Sequence, residues 1–166
     1  MWRPSTLAEV VRREQEGEDR GMALAEFLDT FYIMLQREGR AAAQGCIDQP
    51  PPTHSDPLFH AYLGAVGEHL ALRWGLVVPR WTSDPSRFLR RPHFTSQGMD
   101  GMKAICLAES PTAFRRRLIF TEAEPLRRAR LPRDANGRAL EAHEIAPNGS
   151  PVKTHRRAKR TAATSS

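Results

Sequence analysis

Apolar side chains recur along the first two thirds of the chain at three- and four-residue steps, the period of a helix with one buried face. Leu7, Val10 and Val11 form such a stripe behind Thr6 and Glu9, whose spacing is that of a capping box. Leu24, Phe27, Leu28, Phe31, Met34 and Leu35 predict a second helix over Met22–Arg37, with Gly39 as its stop. Asp48 to Thr53 holds three consecutive prolines, which forbid helix and read as an extended linker near 48–56. Asp56-Pro57 then gives a cap followed by proline at the first helical position. Phe59, Leu63, Val66, Leu70 and Trp74 run down one side of the longest predicted helix, which Gly75 closes.

Shorter elements follow. Leu76 to Trp81 reads as extended, and Pro79 bars it from the middle of a sheet. Ser83-Asp84-Pro85 and Ser110-Pro111 repeat the cap-and-proline start, predicting a turn or two of helix over Pro85–Arg90 and another helix after Pro111. Met102 to Glu109 carries a helical apolar pattern, and Leu118-Ile119-Phe120 ends the helix after Pro111 or forms a short extended edge. No strand-like alternation is present. The expectation is an all-α domain over residues 5–122, a small orthogonal bundle of about five helices.

Composition changes the picture at the C-terminal end. The chain has 166 residues, 40% of them hydrophobic, and a formal net charge of +6. The charge is not shared evenly: residues 115–166 hold 13 basic and 5 acidic side chains, whereas residues 1–114 hold 12 basic and 14 acidic. With no acidic residue from Pro147 onward and almost no apolar material beyond Val152, residues 133–166 read as a disordered basic tail able to attract polyanions without sequence preference. No run of apolar residues reaches membrane-span length, and no apolar segment follows Met1-Trp2-Arg3-Pro4, so a cytoplasmic protein is expected.

Catalytic chemistry has little to stand on. His54, Asp56 and His60 are residue types that zinc accepts, but they lack a fourth ligand and the His-Glu-x-x-His spacing. Cys46 falls in an Ala/Gly-rich loop, and Cys106 falls inside an apolar helical pattern where thiols behave as small hydrophobes. There is no Gly-x-Ser-x-Gly elbow, and Gly98-Met99-Asp100-Gly101 lacks the Lys-Ser/Thr of a phosphate loop. The expectation is a non-enzymatic protein without metal or cofactor.

Binding features are better represented. Arg115, Arg116 and Arg117 are consecutive, so on a helix they fan over about 200° and cannot all meet one internal partner. Glu109, Glu122 and Glu124 are the nearest carboxylates in sequence to pair with them. Trp81, Arg87, Arg90 and Arg91, with Trp74 and Phe88, form a basic-aromatic cluster of the kind found at interface hot spots and on single-stranded nucleic-acid platforms. A helix-turn-helix fits only the Met102–Glu109 helix and the one after it, and that second helix is short and lacks Asn or Gln to read bases.

The segments Glu68-His69-Leu70-Ala71-Leu72-Arg73-Trp74-Gly75-Leu76, Pro79-Arg80-Trp81-Thr82, Arg87-Phe88-Leu89 and Glu109-Ser110-Pro111-Thr112-Ala113-Phe114-Arg115-Arg116-Arg117, with Ile119-Phe120, resemble an uncharacterised bacterial family of small helical proteins. Similar segments lie behind helix-turn-helix regions in some regulators, and stand-alone members accompany nucleotidyltransferase-type toxins. The resemblance spans about residues 5–122. It implies an antitoxin-like protein whose partner is a toxin encoded beside it, and it carries over no catalytic or binding residue. The other function class the composition supports is a nucleic-acid-associated protein that uses Arg115–Arg117 and the basic tail.

Overall fold

The computed structural model describes residues 3–96 and 100–152. In chain order these form α1 (Leu7–Gln15), α2 (Arg20–Arg37), α3 (Arg40–Asp48), α4 (Pro57–Trp74), 3₁₀ turns at Arg80–Ser83 and Pro85–Arg87, β1 (His93–Phe94), α5 (Asp100–Glu109), α6 (Thr112–Arg115), β2 (Ile119–Phe120) and a 3₁₀ turn at Ala142–Glu144. The fold is all-α. β1 and β2 make one parallel two-stranded ladder, His93 opposite Ile119 and Phe94 opposite Phe120.

Local chemistry sets the helix starts. The Thr6 hydroxyl accepts the Glu9 N–H at 3.2 Å while the Glu9 carboxylate accepts the Thr6 N–H at 3.3 Å, which completes the capping box. Asp19 accepts from Met22, and Asp56 from Leu58. Ser110 departs from the expected pattern. Its hydroxyl accepts the Thr121 N–H at 2.8 Å instead of capping α6, because Pro111 is itself the N-cap. That bond ties the start of α6 to the end of β2.

α4 is the centre of the core, with Phe59, Ala61, Leu63, Ala65, Val66, Leu70, Ala71 and Trp74 all buried. α1, α2 and α3 add Leu7, Val10, Phe27, Phe31, Leu35 and Ile47 to the same core, α1 packing on α2 and α2 on α3. The Ala/Gly-rich stretch around Cys46, expected as a loop, is α3; Ala43, Cys46 and Ile47 give it a buried face. Gly39 starts α3 at φ 88, and a Cβ there would lie 2.3 Å from the Pro147 carbonyl oxygen.

Residues 133–152 correct the expectation of a disordered tail. Together with residues 121–132 they form an arm laid over α2, α3 and α4. Leu126, Leu131, Leu140 and Ile145 are buried in the core. Long side chains of the helices hold its backbone: Tyr32 donates to the Leu126 carbonyl, Gln36 to Arg130, Arg40 to Ala142 and Ile145, and Arg73 to Leu140. Four apolar residues spread over twenty positions do not register as a periodic pattern, yet each finds a seat on a preformed helical surface. Residues 153–166, where the remaining basic run lies, are outside the described residues.

Candidate functional site

The residues expected to bind partners fall on both sides of the protein surface. Glu68 lies in the middle of α4, 3% exposed, where an unpaired carboxylate would be costly. Arg117 Nη1 donates to Glu68 Oε2 at 2.6 Å, and Arg116 Nη1 donates to Glu68 Oε1 at 2.9 Å. Arg117 also donates to the carbonyls of Ala113 and Thr82. It is wholly buried, whereas the Arg116 side chain is 46% exposed. Both guanidiniums lie over the Phe88 ring, at 4.7 Å and 5.3 Å from its centroid. The arginines therefore pair with a carboxylate 48 and 49 positions back in the chain, and not with Glu109, Glu122 or Glu124.

Arg87 and Trp81 extend this cluster inward. Arg87 is 4% exposed and donates to the carbonyls of His60 and Pro51 at 3.1 and 2.8 Å. Its guanidinium stacks on Trp81 at 4.8 Å, and the Trp81 indole N–H donates to the Ile47 carbonyl at 2.9 Å. The proline-rich connection is thereby pinned at Ile47 and Pro51, and is no free spacer. Gly64 and Gly67 make room for these side chains. A Cβ on Gly67 would sit 2.7 Å from the Trp81 ring, and one on Gly64 would sit 3.0 Å from Arg117 Nε.

Two of the expected binding residues, Arg87 and Arg117, are thus corrected to interior struts: packing leaves neither a face for a ligand. Burial holds both guanidiniums below their ordinary pKa. Trp81 is half-buried against α4. Arg90, Arg91 and Arg115 are exposed, and Arg115 donates to the carbonyls of Ala108 and Ser110, which closes the C-terminal end of α5. α6 has four residues, too short to serve as a recognition helix.

α5 holds none of the expected binding residues. Its residues between Asp100 and Glu109 are apolar except Lys103, yet only Cys106 is buried. Met102, Ile105 and Leu107 are 41%, 45% and 49% exposed. An apolar helix is ordinarily buried on most sides. The signal was present in the sequence as a helix without a polar face, and Arg115 borders it.

The groups with catalytic potential are engaged internally. His60 Nε2 is 3.1 Å from Ser86 Oγ, and that hydroxyl donates to Asp84 Oδ1 at 2.6 Å. In a nucleophilic triad the carboxylate orients the histidine. Here it holds the serine, while His60 Nδ1 accepts the His54 N–H and lies 3.4 Å from Arg87. Burial lowers the His60 pKa. His54 accepts the Asp56 N–H at Nδ1 and bonds Glu14 through Nε2 at 3.0 Å. Among the described residues no three of His, Cys, Asp and Glu are grouped to hold a metal ion. Burial pushes the Cys46 thiol up to about 11, away from the thiolate a nucleophile needs. Among the described residues no helix is long and apolar enough to cross a membrane.

Comparison with protein-family models, with curated proteins and with solved structures finds no match.

Proposed function

We propose that this chain is a non-enzymatic protein-binding module, the antitoxin-like partner of a bacterial toxin. The observation that carries the reading is α5: an apolar helix fixed to the body through Cys106 and exposing Met102, Ile105 and Leu107. Arg115 beside it supplies a cationic edge. The partner surface that complements this face is apolar at its centre and carboxylate-bearing at its edge. The occupied states of His54, His60, Ser86 and Cys46 support a role without bond-making chemistry.

Co-expression with the product of the neighbouring gene tests it. The expected result is a complex that co-purifies and relief of that protein's toxicity. Ile105→Glu with Leu107→Glu is expected to abolish both while leaving the thermal melt in place. A co-purifying complex that survives this double substitution places the interface elsewhere. Absence of both complex and relief removes the reading.

A further inference from the structure

Two recesses meet at Tyr62. One, of ≈ 300 Å³, lies between the N-terminal halves of α2 and α4, with Leu24, Leu58, Phe59 and Tyr62 in its walls and His93 and Thr95 along one side. The other, of ≈ 330 Å³, lies between α4, α5 and the start of the arm, where Met102, Cys106 and Pro125 share the walls with Tyr62, Thr121 and Glu122. Tyr62 and Thr95 line both. Apolar walls with a few polar groups in a concavity of this size are the usual make-up of a small-ligand site.

Most of the polar groups in these walls are already engaged. Arg20 in the first recess is neutralised by Glu14 at 2.9 Å and by Asp56 at 2.5 Å, and its guanidinium lies over the Phe59 ring. Thr95 Oγ1 donates to the Phe120 carbonyl at 3.2 Å, Ser96 Oγ lies 3.3 Å from Cys106 Sγ, and Thr121 Oγ1 donates to the Glu122 carbonyl at 2.8 Å. Two groups are left over. Glu122 is exposed and belongs to none of the ion pairs among the described residues. The Tyr62 hydroxyl forms no hydrogen bond with a described residue, and the ring that carries it is held edge to face by the buried Phe114 at 5.4 Å. The two groups are neighbours: burial, and then the charge of Glu122, push the Tyr62 hydroxyl up to about 12, so the phenol keeps its proton at neutral pH.

These leftovers select the ligand. A carboxylate and a phenolic oxygen both accept hydrogen bonds, and the tyrosine ring adds a surface that attracts cations. An anion would be repelled by Glu122. One carboxylate is too few for a metal ion, and among the described residues no three ligating side chains are grouped. A lysine side chain presented by another protein would bring a cation to Glu122 but leave the recess of Leu24, Leu58 and Phe59 unfilled. We propose that the joined recesses bind a small primary amine with an aliphatic or aromatic body, its ammonium group at Glu122 and Tyr62 and its body against Leu24, Leu58 and Phe59. The site meets the α5 face only at Met102; neither Ile105 nor Leu107 lines it.

Isothermal titration calorimetry of the full chain with octylamine, octanol and octanoate, each below its micelle concentration, tests it. Octylamine should bind best, octanol about tenfold or more weaker for want of a charge-assisted bond, and octanoate weakest. Glu122→Gln should weaken octylamine about tenfold and leave octanol unchanged, while Tyr62→Phe, which keeps the ring, should weaken octylamine severalfold. Both variants remove groups without a bonding partner among the described residues, so their circular-dichroism melts should match the parent. Ile105→Glu with Leu107→Glu should bind octylamine like the parent, so failure of this site and failure of the α5 reading are told apart. No saturable binding of octylamine overturns the proposal. So does octanoate that binds as tightly as octylamine, or a Glu122→Gln variant that binds octylamine like the parent, since either removes the carboxylate from the site. Octanol binding as tightly as octylamine overturns it in favour of a neutral apolar ligand. Nα-acetyl-lysine methylamide binding as tightly as octylamine overturns it in favour of a protein side chain.

Discussion

Glu68 shows how much a single buried carboxylate can organise. Its two oxygens neutralise one guanidinium inside the protein and one at its edge. The two pairs differ sharply in what their loss costs. Glu68→Ala leaves Arg117 charged and buried with only carbonyl partners, and removing one member of a buried pair costs about 3–5 kcal/mol. Urea denaturation should show that loss, while Arg116→Ala, removing a half-exposed partner, should cost under about 1 kcal/mol. Equal effects of the two substitutions would contradict the assignment. His69 gives a pH signature. Burial against Phe114 and the Arg73 charge push its pKa down to about 4. The unfolded imidazole titrates near about 6.5, so the unfolded state binds more protons between these values. Stability is complete above pH ~6.5 and declines as pH falls toward ~4, by about 1–3 kcal/mol from this group. In His69→Gln the decline across that window should be shallower, as read from melting temperatures between pH 7 and 4.

At the level of the element, α4 is shaped by what it lacks. Gly64 and Gly67 give its polar-facing side the clearance that Arg117 and Trp81 fill. Gly67→Ala gains up to about 1 kcal/mol of helix propensity. It also forces a methyl group into a rigid indole already at 2.7 Å, where overpacking costs about 1–3 kcal/mol. The expected net result is a lower melting temperature, with Gly45→Ala on α3, which meets nothing within 4 Å, as the control that rises. Glu68, Trp81, Arg87, Phe88, Arg116 and Arg117 form one cluster packed around this side of α4. The apolar residues of α5 contribute nothing to it, which is why they stand out as surface.

For the whole molecule, the arm from Thr121 to Val152 is part of the fold. Leu126, Leu131, Leu140 and Ile145 each remove an aliphatic side chain from water, a gain of about 1.5–3 kcal/mol apiece before ordering entropy is subtracted. A chain ending at Thr121 should therefore lose its cooperative melt or melt well below the full chain. Retention of the parent melting temperature would show that the arm contributes nothing. The same arm brings Arg130 and Arg133 to Arg37.

Much of the helical scaffold was legible along the chain because its signals are local. Thr6 with Glu9, Asp56 with Pro57, and Gly75 act within one turn, and the stripes of α1, α2 and α4 repeat within a few residues. α3 was hidden because three alanines and a glycine give little contrast between its faces. The binding residues were legible as composition but not as location. Arg87 and Arg117 look like Arg90 and Arg115 in sequence; what separates them is whether a carbonyl or carboxylate from a distant segment meets the guanidinium inside the core. The sequence alone determined the all-α class, the helix starts and the uneven charge, each set by short-range periodicity, caps or counting. Only the tertiary structure decided which arginines are interior, that residues 133–152 are packed, and that Arg37 joins Arg130 and Arg133, because those facts depend on segments between 27 and 105 residues apart meeting in space.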